Sequence, residues 1–422
     1  MDGATTASAV LEHIRPGADL ILPLANGEPV ALMDAIEEHA EELRDVRVHQ
    51  MHALHDRPYL HDAFPGRLRH RSYFLSHVTR APFHDGTIDL VPNNFSEMRD
   101  ILMARTTDPL VLAAASRPDR HGYFSLGLNA DYVASFIGRA RFFLEANAQM
   151  PRTFGRNQVH VSQVLGWVEV DRPLVEMAPA IRTPLDDRIA AFVAERIPNG
   201  STIQTGIGAI PNSVMAALVE HRDLGVHTEL ISDGLMELVE RGVVNGVAKQ
   251  LNRTKTVGTF ALGTRRLYDF LDENSAFELW PVSYVNDPRV IAQESGFVSI
   301  NSAISVDLMG QCASETIQGE YYSSSGGQAD FARGAMYSRG GQGFVVLHST
   351  TKQDAVSKIV AELEQGDVVT TLKNTVDKVV TEWGVAELRG RSLRERAKAL
   401  IAIAHPGHRD RLTHEASERG HL

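Results

Sequence analysis

Apolar and polar positions along this chain follow two rhythms in turn. Short unbroken apolar runs suit strands buried on both faces. Between them lie stretches with apolar residues every three or four positions, as amphipathic helices require. Residues 19–25 (DLILPLA) read as a buried strand, 26–29 as a turn, 30–43 as a helix and 46–51 as a second strand. Such a β-loop-α-β unit builds a parallel sheet with ligand loops at its strand ends. A similar unit recurs later: strand 201–205, Gly-rich turn 206–211, helix 212–222 and strand 225–230. In both units a loop containing Gly and Pro opens the helix. This is a weak internal repeat that predicts two related α/β domains, with chance likeness between two ordinary βαβ units as the alternative. Prolines followed by a fresh helix place a boundary near residues 183–187, giving domains 1–185 and 186–422. The charged tail 389–422 reads as outer helices interrupted at His405-Pro406-Gly407.

A length of 422 residues with 43% hydrophobic and 23% charged residues is ordinary for a soluble two-domain protein. The net charge of -11 disfavours general binding to nucleic acid or anionic membrane. The sole cysteine, Cys312, excludes an intrachain disulfide and a Cys-based zinc site. The eighteen His show no His-x₃-His spacing, so no metal is expected. The first residues lack a basic stretch followed by an apolar one, and no apolar run nears the roughly 20 residues of a membrane span. These features predict a cytoplasmic protein.

Four stretches are candidates for chemistry. GIGAIP (206–211) lets backbone N–H groups approach an anion at a helix start, with a plain tight turn as the alternative. Pro211 stands where a dinucleotide fingerprint needs its third Gly, which disfavours an NAD site. Glu229, at the end of a strand, is positioned to act as a nucleophile or to be a solvated rim residue. The double Gly of SSSGGQADFARGA (323–335) offers an oxyanion hole or a flexible loop. Lys352 in HSTTK (348–352) suits a phosphate or plain solvent.

Taken together and in order, these stretches resemble the acetyl-CoA hydrolase/transferase family of class I CoA-transferases, in its 4-hydroxybutyrate and butyryl-CoA:acetate branch. The likeness runs through DRHGYFSLGLNADY (119–132), QMPRTFG (149–155), GIGAIPNSV, HTELISDG, GTRRLYDF, PVSYVNDPRVI, NSAISVDLMGQ, GGQADFARGA, TEWGVAELRGRSLRERA and IAHP (403–406). It implies two similar open α/β domains of the NagB/RpiA/CoA-transferase type. It also implies a catalytic Glu at Glu229 in the later domain, with Gly327 and Gln328 as oxyanion donors. CoA contacts carry onto Gly206, Ile207, Gly208, Ala209, Ile210, Ile304, Gly327 and Lys352. Two departures stand out: Ser324-Ser325 precede the double Gly where relatives carry Gly-Val, and Thr351-Lys352-Gln353-Asp354 replaces a Gly-Lys-Gly-Lys type of sequence.

The resemblance implies CoA transfer between small carboxylic acids through a glutamyl-CoA thioester, with a hydrolase using the same Glu229 or a non-catalytic CoA-binding protein as alternatives. No tightly bound cofactor is expected; acyl-CoA and a small acid are the substrates, and a homodimer is implied. Asn26-Gly27-Glu28, His121 to Tyr123, and Met150 to Arg152 are candidates for the acyl pocket. Arg152 is a candidate partner of the acid carboxylate, or a member of a structural ion pair.

Overall fold

The computed structural model describes residues 4–422. They form two compact units, each built on an open sheet. The first comprises the described residues up to Ala178 together with Val257–Val285, and the second Pro179–Thr256 with Asn286–Leu422. A single division after residue 185 would leave Val257–Val285 with the later segment. Hydrogen bonds explain where it goes: Ala130 N–H donates to Thr259 O (2.8 Å), Ala261 N–H to Leu128 O (2.8 Å) and Val282 N–H to Asp131 O (2.7 Å).

In the first unit seven strands, β1 (Asp19–Ile21), β2 (Val46–Gln50), β3 (Leu68–Ser72), β4 (Asp89–Leu90), β5 (Leu110–Ala115), β6 (Arg141–Asn147) and β7 (Val164–Val170), line up in the order β7-β6-β5-β1-β2-β3-β4. Every pairing is parallel. The anticipated helix after β1 is α1 (Val30–Glu38), shorter than its apolar spacing suggests because a 3-10 turn at Ala40–Glu42 takes over. β5 is buried along its whole length, as a central parallel strand covered on both faces must be.

The second unit opens with helix α2 (Pro184–Ala194), whose Thr183 cap accepts from Asp186 N–H while Asp186 accepts from Thr183 N–H. Its sheet uses β8 (Thr202–Thr205), β9 (Gly225–Val226), β10 (Phe297–Ser302), β11 (Gln342–Val346), β12 (Lys378–Thr381) and β13 (Gly384–Glu387), in the order β9-β8-β10-β11-β12-β13. All pairings are parallel except the closing hairpin of β12 with β13. Helices α3 (Ala209–Ala217), α4 (Asp233–Glu240), α5 (Gln328–Tyr337), α6 (Leu393–Ile403) and α7 (Pro406–Glu418) belong to the same unit. Ile203, Val298, Ile300, Phe344, Val346 and Val380 of the sheet form one core with Val193 of α2 and Val214 of α3. The two tail helices match the sequence reading, and Pro406 begins the second at a position where no N–H is missed.

Candidate active site

Two expected elements are redrawn around the site. The turn after β8 stops at Gly208, and α3 begins at Ala209, so Pro211 sits in the first helical turn, where its missing N–H costs nothing. The strand expected over 225–230 is broken: β9 ends at Val226, His227 N–H still donates to Ile203 O (3.2 Å), and a strand resumes at Leu230–Ile231. Thr228 and Glu229 occupy the break. Thr228 ties it to the end of β8, since Thr205 N–H donates to Thr228 Oγ1 at 3.4 Å.

Glu229 is half-buried, and its Oε2 accepts a 2.8 Å hydrogen bond from Asn286 Nδ2. Asn286 is fully buried, and its Oδ1 has no partner among the described residues. Asp330, also buried, stands in the first turn of α5 and adds a like charge to the surroundings of Glu229. Burial is the main force on the Glu229 carboxyl. It pushes the pKa up to about 7, with Asp330 adding to the rise and the Asn286 hydrogen bond opposing it.

Gly327 caps α5 beside this carboxylate. Its φ of -98° suits any residue, so backbone freedom does not explain it. Space does: a Cβ at this position would overlap Glu229 Oε2 and Asn286 Nδ2. Glu229 and Gly327 are thus brought together as the sequence implies. Asn286 and Asp330 join them without having been singled out. Nothing in the local sequence YVNDPRV signals Asn286, whose partner lies 57 residues away.

Gln328 takes a different position. Its backbone N–H donates to Ser325 O (3.3 Å), its Nε2 is buried without a partner among the described residues, and it lines a small cavity with Ser299, Asn301, Thr371 and Asp377. The Gly206–Ile210 stretch starts at Gly206, whose N–H donates to Ile300 O (3.0 Å). Ile207 is exposed, and Gly208 holds φ 124°, ψ 178° at the head of α3. Ile304 is half-buried, and its N–H donates to Ala313 O at 2.9 Å. Lys352 is exposed in a turn where Lys352, Gln353 and Asp354 all have positive φ. Among the described residues no hydrogen bond or ion pair joins Ile304 or Lys352 to Glu229.

The acyl-pocket candidates of the first unit are largely committed to its interior. Asn26 bonds Tyr268 Oη (3.1 Å) and the Val175 carbonyl (2.9 Å). Glu28 accepts from Arg57 Nε (2.6 Å) and Gln50 Nε2 (2.9 Å). Gly27 is buried, Met150 is buried, and His121 and Tyr123 are exposed. Arg152 donates to the carbonyls of Arg117 and Tyr123 and lies 3.9 Å from Asp119, which is the structural alternative for that residue.

Residues 4–179 match the acetyl-CoA hydrolase/transferase N-terminal domain, and residues 263–416 match its C-terminal domain. The chain belongs to the acetyl-CoA hydrolase/transferase family. Glu229 falls between the two matched segments, but similarity to whole proteins spans it. The chain is 42% identical to the succinyl-CoA:cyclohexane-1-carboxylate CoA transferase of Geobacter metallireducens, over 96% of this chain and 93% of that protein. It is 39% identical to the 4-hydroxybutyrate coenzyme A transferase of Clostridium kluyveri, over 98% and 97% respectively. The crystal structure of RipA from Yersinia pestis matches with TM-score 0.94 at 36% identity, covering 99% of this chain and 98% of that one. These likenesses make this family member a CoA-transferase enzyme with the open α/β architecture its sequence implies. No helix of the described residues is long and apolar enough to cross a membrane.

Proposed function

We propose that this protein moves CoA between small carboxylic acids, with Glu229 as the covalent nucleophile. The observation that carries the reading is the close packing of Glu229 against Gly327 and Asn286, in surroundings that raise its pKa to about 7. A desolvated carboxylate is a stronger nucleophile than one in water. Its free Oε1 attacks the acyl-CoA carbonyl carbon while Asn286 holds Oε2. The C–S bond breaks, CoA leaves as thiolate, and a mixed anhydride remains. The thiolate then attacks the glutamyl carbonyl of the anhydride. The first acid departs as carboxylate, and a glutamyl-CoA thioester is left. The acceptor carboxylate reverses both steps, so no net proton or electron is exchanged.

Each addition develops negative charge on a carbonyl oxygen. Asn286 Nδ2, already on Glu229 Oε2, is the donor when the glutamyl carbonyl is attacked. The Gly327 N–H at the head of α5 is the candidate donor for the acyl carbonyl, a role in which Asn286 rather than Gln328 assists. CoA is assigned to the Gly206, Ile207, Gly208, Ala209 and Ile210 loop, with Ile304 and Lys352 as further contacts. Its binding energy serves to press the thioester against Glu229.

The test is direct. Incubation with acetyl-CoA and no acceptor acid should leave CoA attached to Glu229, visible by intact-protein mass spectrometry and mapped by borohydride reduction. Acceptor acid should discharge it, and Glu229→Ala should show none. Release of acetate with no adduct, at a rate that acceptor acids do not change, would instead establish a hydrolase.

A further inference from the structure

Two of the ordered sequence blocks have no part in the chemistry above: TEWG (381–384) and IAHP (403–406). The second unit brings them together. Its strands β9, β8, β10, β11 and β12 lie side by side in that order and run parallel, so the segments that follow them all leave at one edge of the sheet. Gly206 follows β8, Glu229 follows β9, Ile304 follows β10, Lys352 follows β11 and Trp383 follows β12. Open α/β sheets bind ligands outside the carboxyl ends of their strands. From the strand before Glu229 to the strand before Trp383 is four strand spacings, roughly 19 Å. A ligand that reaches both is long, and CoA carries its thiol at one end and its phosphates near the other.

Trp383 gathers cations that have no acid to pair with. Its exposed ring lies 5.6 Å from the Arg188 guanidinium of α2 and 5.8 Å from that of Arg409 of α7, and His405 meets it edge-on at 5.6 Å. Arg409 Nε donates to the Ala404 carbonyl (2.9 Å). Neither arginine has a carboxylate partner among the described residues, although 53 Asp and Glu stand against 42 Lys and Arg in the chain. The neighbouring acids are taken up elsewhere. Glu382 accepts from Ser349 N–H (3.0 Å), Asp186 bonds His348 Nε2 (2.8 Å), and Asp187 pairs with Arg182 (2.6 Å). A ring face holds a guanidinium without using up its N–H donors, which stay available to a phosphate. The turn that carries Lys352 is fastened to the same place. Trp383 Nε1 donates to Ser349 Oγ (3.2 Å), and His408 Nε2 donates to the Asp354 carbonyl (2.8 Å). Lys352 is exposed and also has no acid partner among the described residues.

We propose that Arg188 and Arg409, held on Trp383, bind the phosphate groups at the nucleotide end of CoA, with Lys352 as their neighbour. Anchored there, the ligand lays its arm along the sheet edge toward Glu229. The proposal rests on the CoA-transfer reading and adds where the charged end of the substrate lies.

Titration calorimetry on the whole chain reads the affinity for CoA and for adenosine 3′,5′-bisphosphate. Arg188→Ala and Arg409→Ala should each weaken both ligands by about tenfold, the worth of a charge-assisted hydrogen bond, with Tm within a few degrees of the native value. A second readout needs no altered arginine. Of the three tryptophans, Trp167 and Trp280 lie in the first unit, so a change of emission at this site belongs to Trp383. The bisphosphate should change the emission at concentrations where it displaces CoA, pantetheine should not, and Trp383→Phe should abolish the change. CoA affinity within about twofold of native in both arginine variants would overturn the proposal. So would an emission change that survives Trp383→Phe, or inorganic phosphate that perturbs Trp383 and is not displaced by CoA. If CoA binding shows these effects but no glutamyl adduct ever forms, the nucleophile reading fails and this site stands. An adduct that forms while neither arginine variant alters CoA affinity sinks the site alone.

Discussion

At Glu229 the surroundings disfavour the charge that the proposed chemistry requires. Burial and Asp330 favour the protonated acid, and only the Asn286 hydrogen bond favours the carboxylate. With the pKa near 7, formation of the glutamyl adduct should fall about tenfold from pH 8 to pH 6, following the ionised fraction. Single-turnover adduct formation across that range checks it, and a flat profile would mean the carboxylate is ionised throughout. The same shift has a consequence for stability. A carboxyl raised in the folded state binds its proton more tightly there than in the unfolded chain. Its contribution to stability is therefore lost as pH rises from the ordinary Glu range toward 7. Glu229→Gln keeps an acceptor for Asn286 and carries no charge, so it should raise Tm at pH 8 and change it little at pH 4. Equal Tm changes at both pH values would count against a perturbed Glu229. Gly327 can be tested separately, because its backbone conformation is open to any residue. Gly327→Ala should leave Tm within a few degrees while the added methyl displaces Glu229 and Asn286. We expect kcat to drop by about 10²-fold, as when one oxyanion donor is lost. Unchanged kcat would remove Gly327 from the chemistry. Glu229 and Gly327 stand in separate ordered sequence blocks, and their closeness was expected from those blocks. The place of Asn286 beside them was not legible, because it exists only through a contact made between distant segments.

Elements carry their own lesson. The strand–turn–helix at β8 and α3 was legible because Gly206 and Gly208 interrupt two apolar rhythms. Where the helix starts was not legible, since Pro in a first turn and Pro in a loop are alike in sequence. The break at Thr228 and Glu229 was hidden for a related reason: residues against the core keep a strand-like pattern even where the ladder lapses. Gly208 is the position in this loop that demands glycine, because φ 124° with ψ 178° is essentially closed to other residues. Gly208→Ala should strain the loop by about 1–2 kcal/mol, read as roughly tenfold weaker CoA binding in calorimetry. Turnover at saturating CoA should change much less. Unaltered affinity would take the loop out of the CoA site.

At the scale of the whole molecule, two α/β units were legible from the repeated β-loop-α-β pattern, but the path of the chain between them was not. Composition shifts mark one linker near residue 183, and a segment that returns to an earlier unit leaves no such mark. Val257–Val285 is that segment. It supplies the first unit with Tyr268, whose hydroxyl bonds the Val175 carbonyl at 2.7 Å and accepts from Asn26. It also supplies strand Phe277–Leu279, which pairs in parallel with Phe154 and Gly155. Leu267, Leu271, Phe277, Leu279 and Val282 are each at most 1% exposed, so a fragment lacking the segment loses apolar cover as well as hydrogen bonds. Each large apolar side chain removed from a core is worth about 2–5 kcal/mol, so several lost at once exceed the 5–15 kcal/mol that holds a typical domain. A fragment of residues 1–185 should therefore lack a cooperative thermal transition. Residues 1–178 joined directly to 257–285 should recover one, because Met177 N–H already donates to Gly263 O at 2.8 Å and a short connection suffices. Circular dichroism melts of the two fragments decide the matter. A cooperative melt of 1–185 alone, matching that of the joined fragment, would show that the returning segment is not part of the unit's folding core.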